Sequence, residues 1–237
     1  MNSKISVINA KKGGLEFSLS NGKRMEVIKD PFKIKYTIIS HGILDNVGAG
    51  LGSFTKEYIN KYDNIHLSDL DSFNYSELQK KFNNKKIYIY QKKIQEIRSN
   101  FNTIIYLNVL EHIKKDAEEI QLASSKLNLG GNLIILVPAH QNLYSKFDRA
   151  VGHCKRYDLD FFKNLNNKNL KLKKLIHLDL LGYMLYFFNK IFFKEEVYPS
   201  KSKILIWDKI FIPITIILDF LTFYKFGKNI LCIYEKV

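Results

Sequence analysis

A glycine-rich run, Val47-Gly48-Ala49-Gly50-Leu51-Gly52, is the strongest chemical signal in the sequence. It follows the strand-like stretch Ile43–Val47 and precedes the helix-like stretch Phe54–Lys61. Glycines at such a strand-to-helix turn let backbone approach a ligand closely and leave helix amides to bind it. The third glycine falls at Gly52, so the spacing is GxGxG where the dinucleotide fingerprint has GxGxxG. Roughly twenty residues downstream, the next strand ends in Ser68-Asp69-Leu70-Asp71, which puts the Asp69 carboxylate where a ribose diol lies beside a glycine turn.

A second group of residues could move protons or grip an anion. Glu111 and His112 follow the strand-like Thr103–Leu107, His140 follows Leu133–Val137, and His153, Arg156 and Tyr157 come shortly after. Open α/β sheets bind ligands at the carboxyl ends of their strands, so these positions favour His140, His153 and Tyr157 as acid–base candidates, with Asp148 able to orient His153. Arg149 and Arg156 share one short segment of a chain whose other arginines are Arg24 and Arg98. Their fork geometry fits a carboxylate or phosphate on a substrate; a structural salt bridge with Asp148 or Asp158 is the alternative. Cys154 and Cys232 stand far apart with no CxxC partner, so no disulfide framework and no cysteine metal site is expected.

The elements that must position these residues alternate in type. Ile43–Val47, Ile65–Leu67, Ile87–Tyr90, Thr103–Leu107 and Leu133–Val137 read as strands; Phe54–Lys61, Tyr75–Phe82 and Lys115–Leu127 have helical spacing. Such alternation implies an α/β chain with a mostly parallel sheet and helices on both faces. Asn229–Glu235 reads as a closing strand. Residues 1–40, with the turn signal Ser20-Asn21-Gly22, read as a hairpin or lid-like lead-in to a domain spanning 41–237, in which 165–228 form an aromatic-rich elaboration. The apolar stretches Leu178–Phe193 and Ile204–Phe223 invite a membrane reading, but Asp208, Lys209, Pro213 and Asp219 interrupt the second, so buried elements are expected.

The 237 residues, 46% hydrophobic and 25% charged, suffice for one large domain and exclude disorder. The formal charge of +14 suits an anionic partner, whereas lysine enrichment beside abundant Asn and Ile points to coding bias. The first residues carry no secretory signal pattern, and the cysteine usage fits a reducing cytoplasmic compartment.

Taken together, these segments resemble the class I S-adenosylmethionine-dependent methyltransferases. Tyr106-Leu107-Asn108-Val109-Leu110-Glu111-His112-Ile113 is similar to the family's NVLEHI segment after the fourth strand. Leu129-Gly130-Gly131-Asn132-Leu133 with Val137-Pro138-Ala139-His140 is similar to its glycine turn into the fifth strand. Asp148-Arg149 and Gly152-His153-Cys154-Lys155-Arg156-Tyr157 resemble the D-R…GHxRRY run of a bacterial subgroup linked to surface-glycan or small-metabolite modification. The resemblance implies a Rossmann-like methyltransferase fold with a reversed last strand. It implies that Gly48, Ala49, Gly50 and Gly52 wrap the methionine portion of S-adenosyl-L-methionine, Asp69 holds the ribose, Leu70 meets the adenine, and Asn108 and Val109 line the cofactor. Three positions depart from the family pattern: Asn46 stands for the acidic residue before the first glycine, Gln91-Lys92-Lys93 for a loop with Asp, and Asn102 for an Asp opening the fourth strand.

The function so implied is methylation, most simply O-methylation, of a small-molecule or glycan-precursor acceptor, with Glu111, His112, Arg149 and Arg156 on the acceptor side. Two readings stand beside it: an acceptor carried on lipid at the membrane surface, for which the aromatic runs and flanking lysines of the tail suit peripheral contact, and a non-catalytic cofactor-binding scaffold motivated by Asn46, Lys93 and Asn102. A nucleic-acid acceptor is disfavoured because no NPPY-like tetrapeptide follows the fourth strand.

Overall fold

The computed structural model describes residues 5–9, 15–19, 24–27, 43–52, 55, 59, 64–82, 86–192 and 211–237, with the backbone alone for those up to 46, for 188–192 and for 212. Of the helix expected over Phe54–Lys61 residues 55 and 59 are described, with the Ile59 amide donating to the Thr55 carbonyl at 2.9 Å, and the turn expected at Ser20–Gly22 lies outside the described residues. In chain order the strands are β1 (Ile5–Asn9), β2 (Leu15–Leu19), β3 (Arg24–Val27), β4 (Ile43–Val47), β5 (Asn64–Ser68), β6 (Ile87–Tyr90), β7 (Phe101–Leu107), β8 (Leu127–Pro138), β9 (Leu170–Leu178) and β10 (Asn229–Lys236). The helices are α1 (Ser72–Lys81), α2 (Asp116–Lys126), α3 (Lys146–Val151), α4 (Leu159–Lys163), α5 (Leu180–Phe192) and α6 (Ile212–Leu221). The first three strands make an antiparallel sheet of order β1-β2-β3, one strand more than a hairpin. The other seven form a sheet of order β6-β5-β4-β7-β8-β10-β9, so the closing strand β10 is inserted between β8 and β9.

The chain divides into two compact units, one of residues 34–135, 165–174 and 232–237, the other of 1–33, 136–164 and 175–231. In the first, β4 pairs in parallel with β5 on one side and β7 on the other, in the registers Asn46 to Leu67 and Asn46 to Ile105. This puts the carboxyl end of the central strand, where the glycine turn begins, beside the ends of β5 and β7. The core of this unit is Ile65, Leu67, Leu78, Ile94, Phe101, Ile104 and Ile120. Helix α1 starts because Asp71 caps it, its carboxylate accepting from the amides of Phe73 and Asn74 at 3.0 Å, and Lys80 and Lys81 favour its last turn electrostatically. Helix α2 is tied down by polar contacts: Tyr106 donates to Glu119 at 2.7 Å and Lys126 to the Ile97 carbonyl at 2.7 Å.

Buried in β5 of this unit, His66 sits among the rings of Tyr88, Tyr90 and Phe101 at centroid distances of 4.9, 5.5 and 5.1 Å. Burial lowers its pKa from 6.5 to about 4, so it is neutral near pH 7. Because the unfolded chain binds this proton more tightly, the stability at stake is intact above about pH 6.5 and is lost as the pH falls toward 4, in total about 3 kcal/mol. His66→Phe is expected to shrink the drop in urea midpoint between pH 7 and pH 4. Parallel losses in both proteins would show that other groups carry the acid sensitivity.

Two sequence expectations need correction. Strand β8 begins at Leu127, directly after α2, so Gly130 (φ +73°) and Gly131 lie within the strand and not in a turn before it. A Cβ on Gly131 would come within 3.0 Å of the Asn102 carbonyl, which accounts for the glycine by close strand approach. The second correction concerns α6, whose apolar side chains the sequence assigns to the core. Ile216, Ile217, Phe220 and Leu221 are exposed, while Thr215 and Asp219 are buried.

That inversion has a cause within the second unit. The Asp219 carboxylate accepts from the amides of Asp179 and Leu180, both at 2.8 Å, and Thr215 Oγ1 accepts from the amide of Leu181 at 3.1 Å. These are orphan donors at the start of α5, so one helix caps the next. Asp179, at φ +68°, adds its own carboxylate to the amide of Gly182 at 2.9 Å and meets Lys228 Nζ at 3.4 Å. A side chain on Gly182 would collide with the Asp179 carboxylate. Burial raises the Asp219 pKa, the Asp179 charge adds to the rise, and the two amide bonds oppose it.

Candidate functional site

The glycine turn closes on itself through three bonds: Ala49 N donates to the Ser68 carbonyl at 2.9 Å, Gly52 N to the Ala49 carbonyl at 2.9 Å, and Gly50 N to Asp69 Oδ2 at 2.8 Å. Gly48, Gly50 and Gly52 all have positive φ, between +55° and +64°, where a Cβ is strained. Two of them are also needed for packing. A Cβ on Gly48 would come within 2.6 Å of Val109, and one on Gly52 would strike Phe82 and Leu78. The role the resemblance gives these glycines, wrapping a ligand, therefore coexists with close packing against β7's successor loop and α1.

Asp69 is half-buried at the end of β5, its Oδ1 accepting from the amide of Asp71 at 2.9 Å and its Oδ2 from Gly50. Burial raises its pKa and the Asp71 charge adds to this, while the bonds from the Asp71 and Gly50 amides and from Asn74 lower it. A carboxylate has about four acceptor sites, so with the Asp71 and Gly50 amides and Asn74 bound, Asp69 retains room for a hydroxyl while holding the turn in shape. Leu70 follows it and is 58% exposed, an apolar surface beside the turn suited to a flat ring. Gln91, in the loop where the sequence departs from the family pattern, donates to the Leu70 carbonyl at 3.3 Å, so this loop does reach the same end of the site. Asn108 is exposed at φ +54° where β7 ends. The backbone of Asn46 lies in β4; its side chain is outside the described residues. Glu111 is buried in the short turn after Val109, and His112 in the same turn is exposed. The donor set of turn, Asp69 and Leu70 fits an adenosine moiety: acceptors for a diol and an apolar face for a base.

The second unit holds the other candidates, built around Asp148 in α3. A capping box starts this helix: Ser145 N and Oγ each donate to Asp148 Oδ2 at 2.9 Å. His153 approaches Asp148 Oδ1 through Nδ1 at 2.8 Å, and Arg156 reaches the same carboxylate with Nε and a terminal nitrogen at 3.0 Å. Asp148 is fully buried, which disfavours its charge, but the bonds from His153, Arg156 and Ser145 outweigh this and hold its pKa well below the usual carboxylate range. Because a carboxylate can only accept, His153 donates to Asp148 through Nδ1.

Arg156 is the structural alternative realised. The residue is buried, its guanidinium bonded to Asp148 and the Ala139 carbonyl and lying over the Tyr186 ring at 4.8 Å, so its fork is spent inside the protein and not on a substrate. Arg149, on the same helix as Asp148, is exposed. Tyr157, the third acid–base candidate, is 2% exposed, with its ring packed on Phe161 and Phe162 and its backbone bridged to Ala139; this is a core position. His140, at φ +65°, donates from Nε2 to the Gly227 carbonyl at 2.9 Å, stacks on His177 at 5.1 Å and lies tilted against Tyr183 at 4.7 Å. Desolvation lowers the pKa of both His140 and His177, and mutual repulsion adds to the lowering at His177, so the stacked pair is neutral near pH 7. Sequence reasoning missed His177, Asp179 and Asp219, whose partners lie in distant parts of the chain.

The sequence matches no protein-family profile and no curated protein. Solved structures do match. The chain is similar to the N-methyltransferase NodS from Bradyrhizobium japonicum WM9 in complex with S-adenosyl-L-homocysteine, at TM-score 0.52 and 10% identity over 82% of this chain and 77% of that one. It is similar to an S-adenosylmethionine-dependent methyltransferase from Clostridium acetobutylicum ATCC 824, at TM-score 0.53 and 14% identity over 82% and 83%. It is also similar to the magnesium protoporphyrin IX methyltransferase ChlM from Synechocystis PCC 6803 with bound S-adenosylhomocysteine, at TM-score 0.53 and 11% identity over 84% and 76%. The fold is thus the Rossmann-like methyltransferase fold, in agreement with the strand order.

Proposed function

We propose that the chain is an S-adenosylmethionine-dependent methyltransferase acting on a hydroxyl of a small-molecule or glycan-precursor acceptor. The observation that carries the reading is the bond from Gly50 N to Asp69, which joins the glycine turn to a half-buried carboxylate at the end of the neighbouring strand. When bound, the cofactor supplies an electrophilic methyl group. Asp69 accepts from the ribose hydroxyls, Leu70 packs on the adenine, Gln91 borders the same ring, and Asn108 and Val109 line the cofactor beyond the turn. In the other unit Asp148 orients the His153 ring through Nδ1, and His153 is the residue we assign to proton transfer with an acceptor hydroxyl. Arg149 offers an exposed guanidinium for an acidic acceptor; Arg156 only positions Asp148. An acceptor carried on lipid is a second reading, favoured by the exposed apolar side of α6.

Calorimetric titration of the whole chain with S-adenosylhomocysteine tests the assignment. Binding is expected, and Asp69→Ala should weaken it by about 1.5–3 kcal/mol, the range for hydrogen bonds to a charged group. Absence of binding at millimolar concentration, or equal affinity in Asp69→Ala with an unchanged circular dichroism spectrum, would overturn it.

A further inference from the structure

Helix α6 wears its chemistry inside out. Thr215 and Asp219, spaced by one turn, are 2% and 3% exposed, whereas Ile217, Phe220 and Phe223 are 60%, 67% and 78% exposed. Ile214, Ile216, Leu221 and Phe226 extend the same apolar surface. The buried stripe is explained by its bonds to the amides of Asp179, Leu180 and Leu181, which fix the rotation of the helix about its own axis. With that rotation fixed, Ile214, Ile216, Ile217, Phe220 and Leu221 face outward. A contiguous exposed patch of this kind marks a docking surface.

We infer that this face binds the surface of an anionic lipid bilayer, with α6 lying in the plane of the interface. Charge selects this occupant. Between Phe211 and Lys228 the only acidic residue is Asp219, and it is turned inward, so the outward side carries no negative charge. Lys225 at the end of the patch is exposed, and the chain as a whole bears +14. Two copies pressed face to face would bring like charges together, whereas an anionic headgroup layer attracts the same surface. The helix has 10 residues, about 15 Å, and no helix among the described residues is long and apolar enough to cross a membrane. Lying in the interface, with aromatic and aliphatic side chains between headgroups and acyl chains and lysine above them, is the remaining geometry. The inference is independent of methyl transfer, since it uses neither the glycine turn nor Asp148.

Sedimentation of the full chain with vesicles tests it. Vesicles of phosphatidylcholine with a third phosphatidylglycerol are expected to carry the protein down, pure phosphatidylcholine vesicles at least tenfold less, and 0.5 M salt should release much of the bound fraction. Ile217→Ser with Phe220→Ser should lower binding to the anionic vesicles at least tenfold while S-adenosylhomocysteine titration stays as in the parent. Both side chains are exposed, so folding should survive, and Lys225→Glu supplies a milder variant with a several-fold loss. No binding of the parent to anionic vesicles, or binding unchanged by these substitutions, overturns the inference. A concentration-dependent dimer that the double substitution dissolves would assign the face to a second copy and overturn it equally.

Discussion

Asp148→Ala is expected to destabilise the fold by about 3–5 kcal/mol, the cost of stranding a buried charge by removing its partner. The stranded group is Arg156, whose side chain is 4% exposed and whose Nε and terminal nitrogen both bind the Asp148 carboxylate. The same deletion takes away the capping box of α3 and the bond to His153 Nδ1. Domains are held by only about 5–15 kcal/mol, so urea denaturation should show a large drop in midpoint. Removing both charges together, as Asp148→Leu with Arg156→Met, should cost much less than the sum of the single changes, because a well-packed apolar pair does not leave a charge unmatched. A loss below 1 kcal/mol for Asp148→Ala, or additive losses in the double variant, would show that the pair is not what holds this segment. The protonation sign is also fixed: the Asp148 contribution is present above the ordinary carboxylate pKa and fades as the pH drops below it.

Gly48→Ala should cost about 2–5 kcal/mol from two separable sources. At φ +63° a Cβ is strained by roughly 1–2 kcal/mol. The Val109 methyls, 2.6 and 2.9 Å from where that Cβ would stand, add an overpacking cost of about 1–3 kcal/mol. Val109→Ala removes those methyls and leaves only ordinary contact at 3.4 Å, so in that background Gly48→Ala should lose only the conformational part. A double-mutant cycle by chemical denaturation reads the difference. Equal costs in both backgrounds would mean that Val109 does not dictate the glycine. If the turn holds a cofactor, Gly48→Ala should weaken S-adenosylhomocysteine binding in the parent background and recover part of it alongside Val109→Ala.

The turn and the parallel core were legible because their signals are local. Glycines after an apolar strand, a carboxylate after the next one and the run into Asn108 follow one another along the chain, and the strand order agrees with them. Strand β9 escaped notice although Leu170-Lys171-Leu172-Lys173 alternates, because its lysines merge with a lysine-rich tail. As the last strand in the sheet order it tolerates charges that an inner strand would not. The choice between a substrate and a carboxylate for Arg156 needed the distance to Asp148, which sequence spacing leaves open. Hydropathy placed the apolar side chains of Ile204–Phe223, Ile217 and Phe220 among them, inside. What reversed them are side-chain bonds to amides 34 to 40 positions away, and no periodicity encodes such partners.

The clasp of Asp219 and Thr215 on the first amides of α5 also bears on how the chain can change over evolutionary time. It fastens the start of α5 to α6 through side chains, so the pairing of the two helices depends on two residues one turn apart. A single hydrogen bond to a charged group contributes about 1.5–3 kcal/mol, so losing the Asp219 carboxylate forfeits more than most surface exchanges do. The four-residue spacing from Thr215 to Asp219 is consequently not free to drift.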